Sequence, residues 1–229
     1  MNGKLYGVSV GPGDPELITV KALRIIRECG IIAVPETDKG GTLALSAAEK
    51  AVDLSGKIIL RLELPMTHDR ERLRVSREAA GAKIADHLRN GEDVAMLNIG
   101  DISIYSTFSY IAGEVRKAGF ETEVCAGVPS FCAAAAELGI SLTKAHTPLV
   151  IIPAQYAGMN ELLKTEGTKV IMKGGKKAAE IRELLRETAG CEETYAVENC
   201  GLEGERIYTD ISDVGDCGYF TVFIAKDGK

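Results

Sequence analysis

The sequence has no tryptophan, only three histidines and no CxxC pair among its six cysteines. Without closely spaced Cys and His ligands, it predicts free thiols and no structural metal site. Apolar runs such as VAML at 94–97 and LVII at 149–152 fall far short of the roughly 20 residues that a membrane span needs. The N-terminus also lacks the layout of a signal peptide. These absences favour a cytoplasmic protein with no membrane segment.

An excess of basic residues is absent as well. The 27 Lys and Arg residues are outnumbered by 33 Asp and Glu residues, which gives a net charge of −6. A nucleic-acid partner is therefore not expected, and an anionic ligand would have to be bound by local Lys and Arg side chains. Apolar residues make up 45% of the chain, which is ordinary for a globular protein.

The first half alternates short apolar runs with amphipathic segments, which predicts βαβ units and a parallel sheet. The predicted strands are 5–10, 31–34, 94–98 and 121–125, and the predicted helices are 19–29, 69–90 and 107–118. On the longest helix, Leu73, Ala80, Ile84 and Leu88 share the face that should point inward.

The second half contains more strands than helices. The predicted strands are 149–152, 169–172, 194–198, 205–209 and 219–225, with a clear helix at 177–188. Gly201 and Gly204 can turn the chain within 199–208, so a mixed sheet with an antiparallel hairpin is expected. We set the domain boundary near Gly119, with α/β domains at 1–119 and 120–229.

Three loops lie where a predicted strand leads into a helix, the place where open α/β sheets bind ligands. The first, VGPGDPEL at 10–17, is not a dinucleotide fingerprint, because Glu16 stands where the third glycine would be and Pro15 lacks a backbone donor. The alternative to a ligand-binding loop is a tight structural turn.

The second loop, at 97–110, contains Gly100, Asp101 and the hydroxyls of Tyr105, Ser106 and Thr107. Ser106 or Thr107 could instead cap the helix that follows, and capping is compatible with ligand binding. The third loop and helix, CAGVPSFCAAAAELG at 125–139, can admit a flat ligand or can simply be tightly packed.

These loops resemble those of the tetrapyrrole methyltransferases. That family begins with GxGPGDPxLxTxKA, and this chain has GPGDPELITVKAL at 11–23. The GD pair at 100–101, YSTFSY at 105–110, GVPSF at 127–131, KVIMKGGK at 169–176 and ENCGLEGERI at 198–207 are similar to the subgroup that methylates C20 of precorrin-2 or its cobalt complex (cobalt-factor II) in cobalamin biosynthesis.

The resemblance implies two α/β domains, unlike a Rossmann-like methyltransferase, with S-adenosylmethionine in the cleft between them, and a homodimer. It assigns the cofactor to Pro12, Ile99, Gly100, Asp101, Ile104, Ser106, Thr107, Ser130 and Met172, with 196–201 closing the site. Asp101 and Tyr105 are candidates for accepting the proton that leaves C20. Where the family usually has proline after GD, this chain has Ile102, which either loosens the loop or adds one backbone hydrogen bond.

The tetrapyrrole substrate is a polycarboxylate, and arginine favours bidentate carboxylate pairing. Arg70, Arg74 and Arg77 are the candidate substrate-binding residues, although interleaved acidic residues also fit an ordinary solvated helix face. The alternatives in function are another tetrapyrrole C-methyltransferase, acting at a different precorrin position or on uroporphyrinogen-III, and a non-enzymatic tetrapyrrole carrier.

Overall fold

A computed structural model describes residues 2–36 and 42–227. The chain forms two compact units, Met1–Pro129 and Ser130–Lys229, each built on its own five-stranded sheet. The α/β class is confirmed. The division falls at Pro129 rather than at the predicted boundary, Gly119, because the strand at 122–125 pairs with the first strand of the chain and so belongs to the first unit.

The first unit is a parallel sheet with helices between its strands. The strands are β1 (Leu5–Ser9), β2 (Ile31–Glu36), β3 (Ile58–Glu63), β4 (Val94–Asn98) and β5 (Thr122–Cys125), in the order β3-β2-β4-β1-β5. The helices are α1 (Val20–Glu28), α2 (Leu43–Ala51), α3 (Arg70–Arg89) and α4 (Phe108–Lys117). Every strand pair is parallel, as the alternation of the sequence predicts. The sequence did not predict α2 or β3.

Two apolar layers cover this sheet. On one face α1 and α2 pack over Val8, Ile32 and Leu97. On the other face α3 and α4 pack over Leu5 and Met96. The neighbouring strands β1 and β4 therefore lead into helices on opposite faces, which opens a crevice at their carboxyl ends.

The inward face of α3 begins later than predicted. Its fully buried residues start at Ala80 and continue through Ile84 to Leu88, whereas Leu73 is half-buried. The first two turns of α3 extend past the core, so their side chains are available for other contacts.

The second unit is a mixed sheet. Its strands are β6 (Leu149–Pro153), β7 (Thr168–Met172), β8 (Glu193–Glu198), β9 (Arg206–Tyr208) and β10 (Thr221–Lys226), and its helices are α5 (Ser130–Glu137), α6 (Met159–Leu163) and α7 (Ala178–Glu187). The order is β6-β7-β10-β8-β9, and only β6 and β7 pair in parallel among these neighbours. The predicted hairpin is the β8–β9 pair. No helix within 2–36 and 42–227 is long and apolar enough to cross a membrane.

Gly7 gives the first testable prediction, because it lies in β1 directly beneath α4. A Cβ atom there would come within 2.5 Å of both the Ile102 Cδ1 and the Phe108 Cζ atoms. Overpacking of this kind costs about 1–3 kcal/mol. We expect Gly7→Ala to lower the free energy of unfolding by about that amount in urea denaturation. Gly113→Ala on α4 is the matched control, because a Cβ atom there meets no atom of the described part of the chain within 4 Å. Equal stability of the two variants would contradict this packing.

Candidate ligand-binding site at the strand exits

The loops that leave β1 and β4 are joined by their backbones. The Gly100 N–H donates to the Gly11 carbonyl over 2.6 Å, and the two residues form an isolated antiparallel bridge. Gly11 has φ +69° and Gly100 has φ +73°, a left-handed conformation that favours glycine. Buried Pro12 follows Gly11, and half-buried Ile99 precedes Gly100. The structure thus brings together the predicted residues of the first two loops.

The Asp101 carboxylate links the second loop, which contains it, to the third loop by a hydrogen bond. Its Oδ2 atom accepts the Gly127 N–H at 2.7 Å, and its Oδ1 atom accepts the Ser103 N–H at 2.8 Å and the Ser103 hydroxyl. Asp101 is only 8% exposed. Burial alone would raise the pKa of its carboxyl, but the hydrogen bonds from Gly127 and Ser103 outweigh that effect and the pKa lies below its usual value. Asp101 is therefore an ionised hydrogen-bond acceptor and a weak base.

Ile102 makes the additional backbone hydrogen bond that a proline at this position would forbid. Its N–H donates to the Ser9 hydroxyl oxygen over 2.9 Å, and Ser9 is fully buried at the end of β1. The Ser9 side chain also lies against Gly127, where a Cβ atom would be 2.4 Å from the Ser9 Cβ atom. These contacts hold the carboxyl ends of β1, β4 and β5, here called the three strand exits, close together.

Ser106 connects the second loop to β4 and to α4. Its hydroxyl donates to the Asn98 Oδ1 atom at 2.7 Å and accepts the Phe108 N–H at 3.0 Å. The neighbouring Thr107 side chain makes no capping hydrogen bond to α4. Ser106 therefore does cap the helix, and the same hydroxyl orients the loop.

The remaining residues of the second loop, Ile104 and Tyr105, follow the Asp101 turn. The Ile104 N–H donates to the Asp101 carbonyl at 3.1 Å. Tyr105 is 42% exposed and has φ +50°, which is uncommon and strained for a residue with a side chain. Burial of part of its ring raises the pKa of the Tyr105 hydroxyl. Tyr105 is thus a poor proton acceptor near neutral pH.

Ser130, Met172 and the stretch 196–201 belong to the second unit. Ser130 is the first residue of α5, and Met172 is the last residue of β7. The stretch 196–201 ends β8 and enters the hairpin, where Asn199 has φ +53°. Within it, Glu198 is 3% exposed and accepts the Gly218 N–H and the Arg206 guanidinium. These bonds fix the start of the hairpin.

The candidate arginines on α3 differ in their partners. Arg70 is exposed at the first position of the helix. The Arg74 guanidinium is held by Glu71 on one side and by Glu78 on the other. The Arg77 guanidinium instead stacks on the Tyr110 ring of α4, with its Cζ atom 3.7 Å from the ring centroid.

A groove of about 680 Å³ lies beside the first half of α3, away from the three loops. Arg72 and Lys83 line it, but so do Glu36, Glu63 and Glu71. Three carboxylates would repel a polycarboxylate ligand, so this groove is a poor candidate for the substrate site.

Sequence reasoning did not identify Ser9, Asn98 or Ser103 as parts of the site. A signal was present, because Ser9 and Asn98 are the polar last residues of two otherwise apolar strands and lie opposite each other in the β1–β4 register. Polar residues at the carboxyl ends of adjacent parallel strands face the crevice or its supports.

Comparisons with known proteins agree with this architecture. A sequence model of the tetrapyrrole (corrin/porphyrin) methylases matches residues 4–215, and the chain therefore belongs to that family. The "Probable cobalt-precorrin-2 C(20)-methyltransferase" of Methanocaldococcus jannaschii is 38% identical over 74% of this chain and 72% of its own.

Two further proteins extend the likeness to nearly the whole chain. The cobalt-precorrin-2 C(20)-methyltransferase of Salmonella typhimurium is 31% identical over 94% of this chain and 92% of its own. The structure of uroporphyrin-III C-methyltransferase from Thermus thermophilus complexed with S-adenosylhomocysteine has a TM-score of 0.70 at 21% identity, covering 98% of this chain and 97% of that one. This last similarity supports the two-domain fold.

Removal of the Ser9 hydroxyl should loosen the second loop. In Ser9→Ala the buried Ile102 N–H loses its acceptor, which costs about 1–3 kcal/mol. We expect the free energy of unfolding to fall by that amount, and the Ile102 amide to exchange its hydrogen faster. Ser46→Ala, at an exposed position of α2, is the control. Unchanged protection of the Ile102 amide in Ser9→Ala would refute the role of this hydrogen bond.

Proposed function

We propose that this protein transfers the methyl group of S-adenosylmethionine to C20 of precorrin-2 or of its cobalt complex, a step of cobalamin biosynthesis. The observation that carries the proposal is that hydrogen bonds hold the loops after β1, β4 and β5 together around Gly100–Ile102. The YST, GVPSF and ENCGLEGE motifs and the names of the two relatives that are more than 30% identical point to the same reaction. Those relatives are named for the cobalt complex, which makes it the first substrate to test.

The crevice at Gly100 fits a cofactor that approaches the backbone. A Cβ atom on Gly100 would meet none of the described residues within 4 Å, so the space beside its Cα atom is open, while its φ of +73° excludes most side chains. The Thermus thermophilus relative was solved with S-adenosylhomocysteine, the demethylated product. The residues proposed to contact the cofactor are Pro12, Ile99, Gly100, Asp101, Ile104, Ser106, Thr107, Ser130 and Met172.

The chain's own residues act by alignment. S-adenosylmethionine supplies an activated methyl group, whose S–C bond breaks as a C–C bond forms at C20, and the C20 proton then leaves. The meso carbon of a reduced tetrapyrrole is already electron-rich, so the protein has to align the two reactants more than to activate either. Rigid placement of reacting atoms can contribute roughly 7–11 kcal/mol to lowering the barrier. The bonds from Asp101, Ser9 and Ser106 provide that rigidity.

Asp101 acts in this mechanism as an orienting group. Each of its carboxylate oxygens already accepts at least one hydrogen bond from the loops, and its lowered pKa makes proton capture unfavourable. Tyr105, with a raised pKa, is protonated near neutral pH. The C20 proton, which is acidic next to the newly cationic ring, therefore leaves to water. The enzyme acts as a cytoplasmic homodimer in this proposal.

Methyl transfer itself tests the proposal. We expect incubation with S-adenosylmethionine carrying a ¹³C-labelled methyl group and cobalt-precorrin-2 or precorrin-2 to place the label at C20, as located by NMR. Calorimetric titration with S-adenosylhomocysteine should show binding. A label on another carbon would indicate a methyltransferase of different position, and tetrapyrrole binding without S-adenosylhomocysteine binding would indicate a carrier. Either result would overturn the proposal.

Asp101→Asn separates orientation from proton transfer. An amide can present one oxygen where the carboxylate presents two, so it loses an acceptor for either Gly127 or Ser103. We expect S-adenosylhomocysteine affinity to fall about 10- to 100-fold, because ligand binding would have to restore the loop order that a lost hydrogen bond to a charged group, worth about 1.5–3 kcal/mol, no longer provides. Single-turnover transfer at saturating ligands should slow by less than about tenfold, whereas loss of a general base slows it about 10²- to 10⁴-fold. A thousandfold slower chemical step would show that Asp101 is the base.

A further inference from the structure

Arg77 differs from the arginines around it in how it is held. It is half-buried on α3, and its buried Nε atom has no hydrogen-bond partner within 2–36 and 42–227. Within the described residues its guanidinium forms no ion pair and stacks on the Tyr110 ring. Arg74, three residues earlier, already has two carboxylate partners. Arg77 is therefore a cation that is held against a ring and still has hydrogen-bonding capacity for an anion.

The ring contact fixes the guanidinium without satisfying its donors. A cation over an aromatic face gains roughly 0.5–2 kcal/mol. The guanidinium N–H groups, however, point outward in the plane of the group, away from the ring. With Nε buried, the Nη nitrogens are the donors that a ligand can reach. Two Nη donors in one plane match the two oxygens of a carboxylate.

The position of this pair connects it to the candidate site. Tyr110 lies in the first turn of α4, and its N–H donates to the Thr107 carbonyl at 3.2 Å. Ser106, which caps the same turn, is bonded to Asn98 at the end of β4. The Arg77–Tyr110 pair thus lies at the end of the second loop, whose last residue is Tyr110. The α3 and α4 helices pack closely here, since a Cβ atom on Gly81 would lie 2.6 Å from the Glu114 Cβ atom.

We propose that Arg77 binds a peripheral carboxylate of the tetrapyrrole substrate, and that Tyr110 is the positioning residue that holds its guanidinium for this purpose. The proposal rests on the proposed function for the identity of the ligand. Arg74 is excluded from the role because its donors are engaged by Glu71 and Glu78. A fixed guanidinium provides a local positive charge, which a protein of net charge −6 needs in order to bind a polycarboxylate.

Steady-state kinetics of Arg77→Ala and of its matched control Arg74→Ala test the assignment. We expect Arg77→Ala to raise the KM for the tetrapyrrole about 10- to 100-fold, the range for a charge-assisted hydrogen bond. Its kcat and its affinity for S-adenosylhomocysteine should stay within about twofold of wild type, because loss of a contact made equally in the ground state and the transition state changes KM alone. Arg74→Ala should match wild type. Equal effects in the two variants, or none in Arg77→Ala, would refute the assignment.

The positioning role of Tyr110 has its own readout. Tyr110→Phe keeps an aromatic ring under Arg77 and should behave as wild type, whereas Tyr110→Ala should raise the KM several-fold and leave kcat unchanged. The KM of Tyr110→Ala in an Arg77→Ala background should not rise further, because the ring would no longer hold a ligand-binding group. A further rise, or equal KM values for Tyr110→Phe and Tyr110→Ala, would contradict the coupling.

A binding assay keeps this inference separate from the proposed function. If the wild-type protein transfers no methyl group to C20, the proposed function fails, but binding of the same tetrapyrrole can still be followed by its visible absorbance without S-adenosylmethionine. Weaker binding in Arg77→Ala than in Arg74→Ala would then support the carboxylate site. Equal binding by all the proteins, at low and at high salt, would overturn it.

Discussion

Hydrogen bonds from three loop N–H groups at the strand exits form the constraint on which the site depends. The carboxyl ends of β1, β4 and β5 converge, and the N–H groups of Ile102, Ser103 and Gly127 all have side-chain acceptors there. The Ser9 hydroxyl and the Asp101 carboxylate supply them. An ionised carboxylate is a pure acceptor, so the ionisation of Asp101 and the positions of these loops stabilise each other. If Asp101 lost its charge, or if the loops moved, the loops that line the crevice would no longer be held in place.

This constraint also limits the chemistry that Asp101 can perform. Protonation of the Asp101 carboxylate would weaken the three hydrogen bonds that it accepts from the loops. The site is therefore better suited to holding reactants than to exchanging protons with them. Methyl transfer to an electron-rich carbon needs mainly alignment, and that requirement matches a crevice whose polar groups already satisfy one another. The Ser9–Ile102 bond, which a proline at 102 would prevent, reinforces the same rigidity.

Much of the fold could be predicted from the sequence, because strand and helix periodicities are local properties. The alternation of β1, α1 and β2 and the strand-to-helix loops at Gly100 and Gly127 are of this kind. The boundary after Pro129 and the Ser9–Ile102 bond were not predictable, because both depend on which strands become neighbours. Short, alanine-rich α2 lacked a clear amphipathic pattern, and β3, an edge strand, has mixed polarity.

The difference between Arg74 and Arg77 shows a case in which the sequence contained more than its charge pattern suggests. On a helix, ion pairs form between residues three or four apart. Arg74 has Glu71 three residues before it and Glu78 four residues after it, and the structure pairs it with both. Arg77 has no acidic residue at either spacing, and four residues after it stands Gly81, which lets α4 approach. The same close approach brings Tyr110 under Arg77. Arg74 is thus held between two carboxylates of its own helix, whereas Arg77 stacks on a ring of the neighbouring helix.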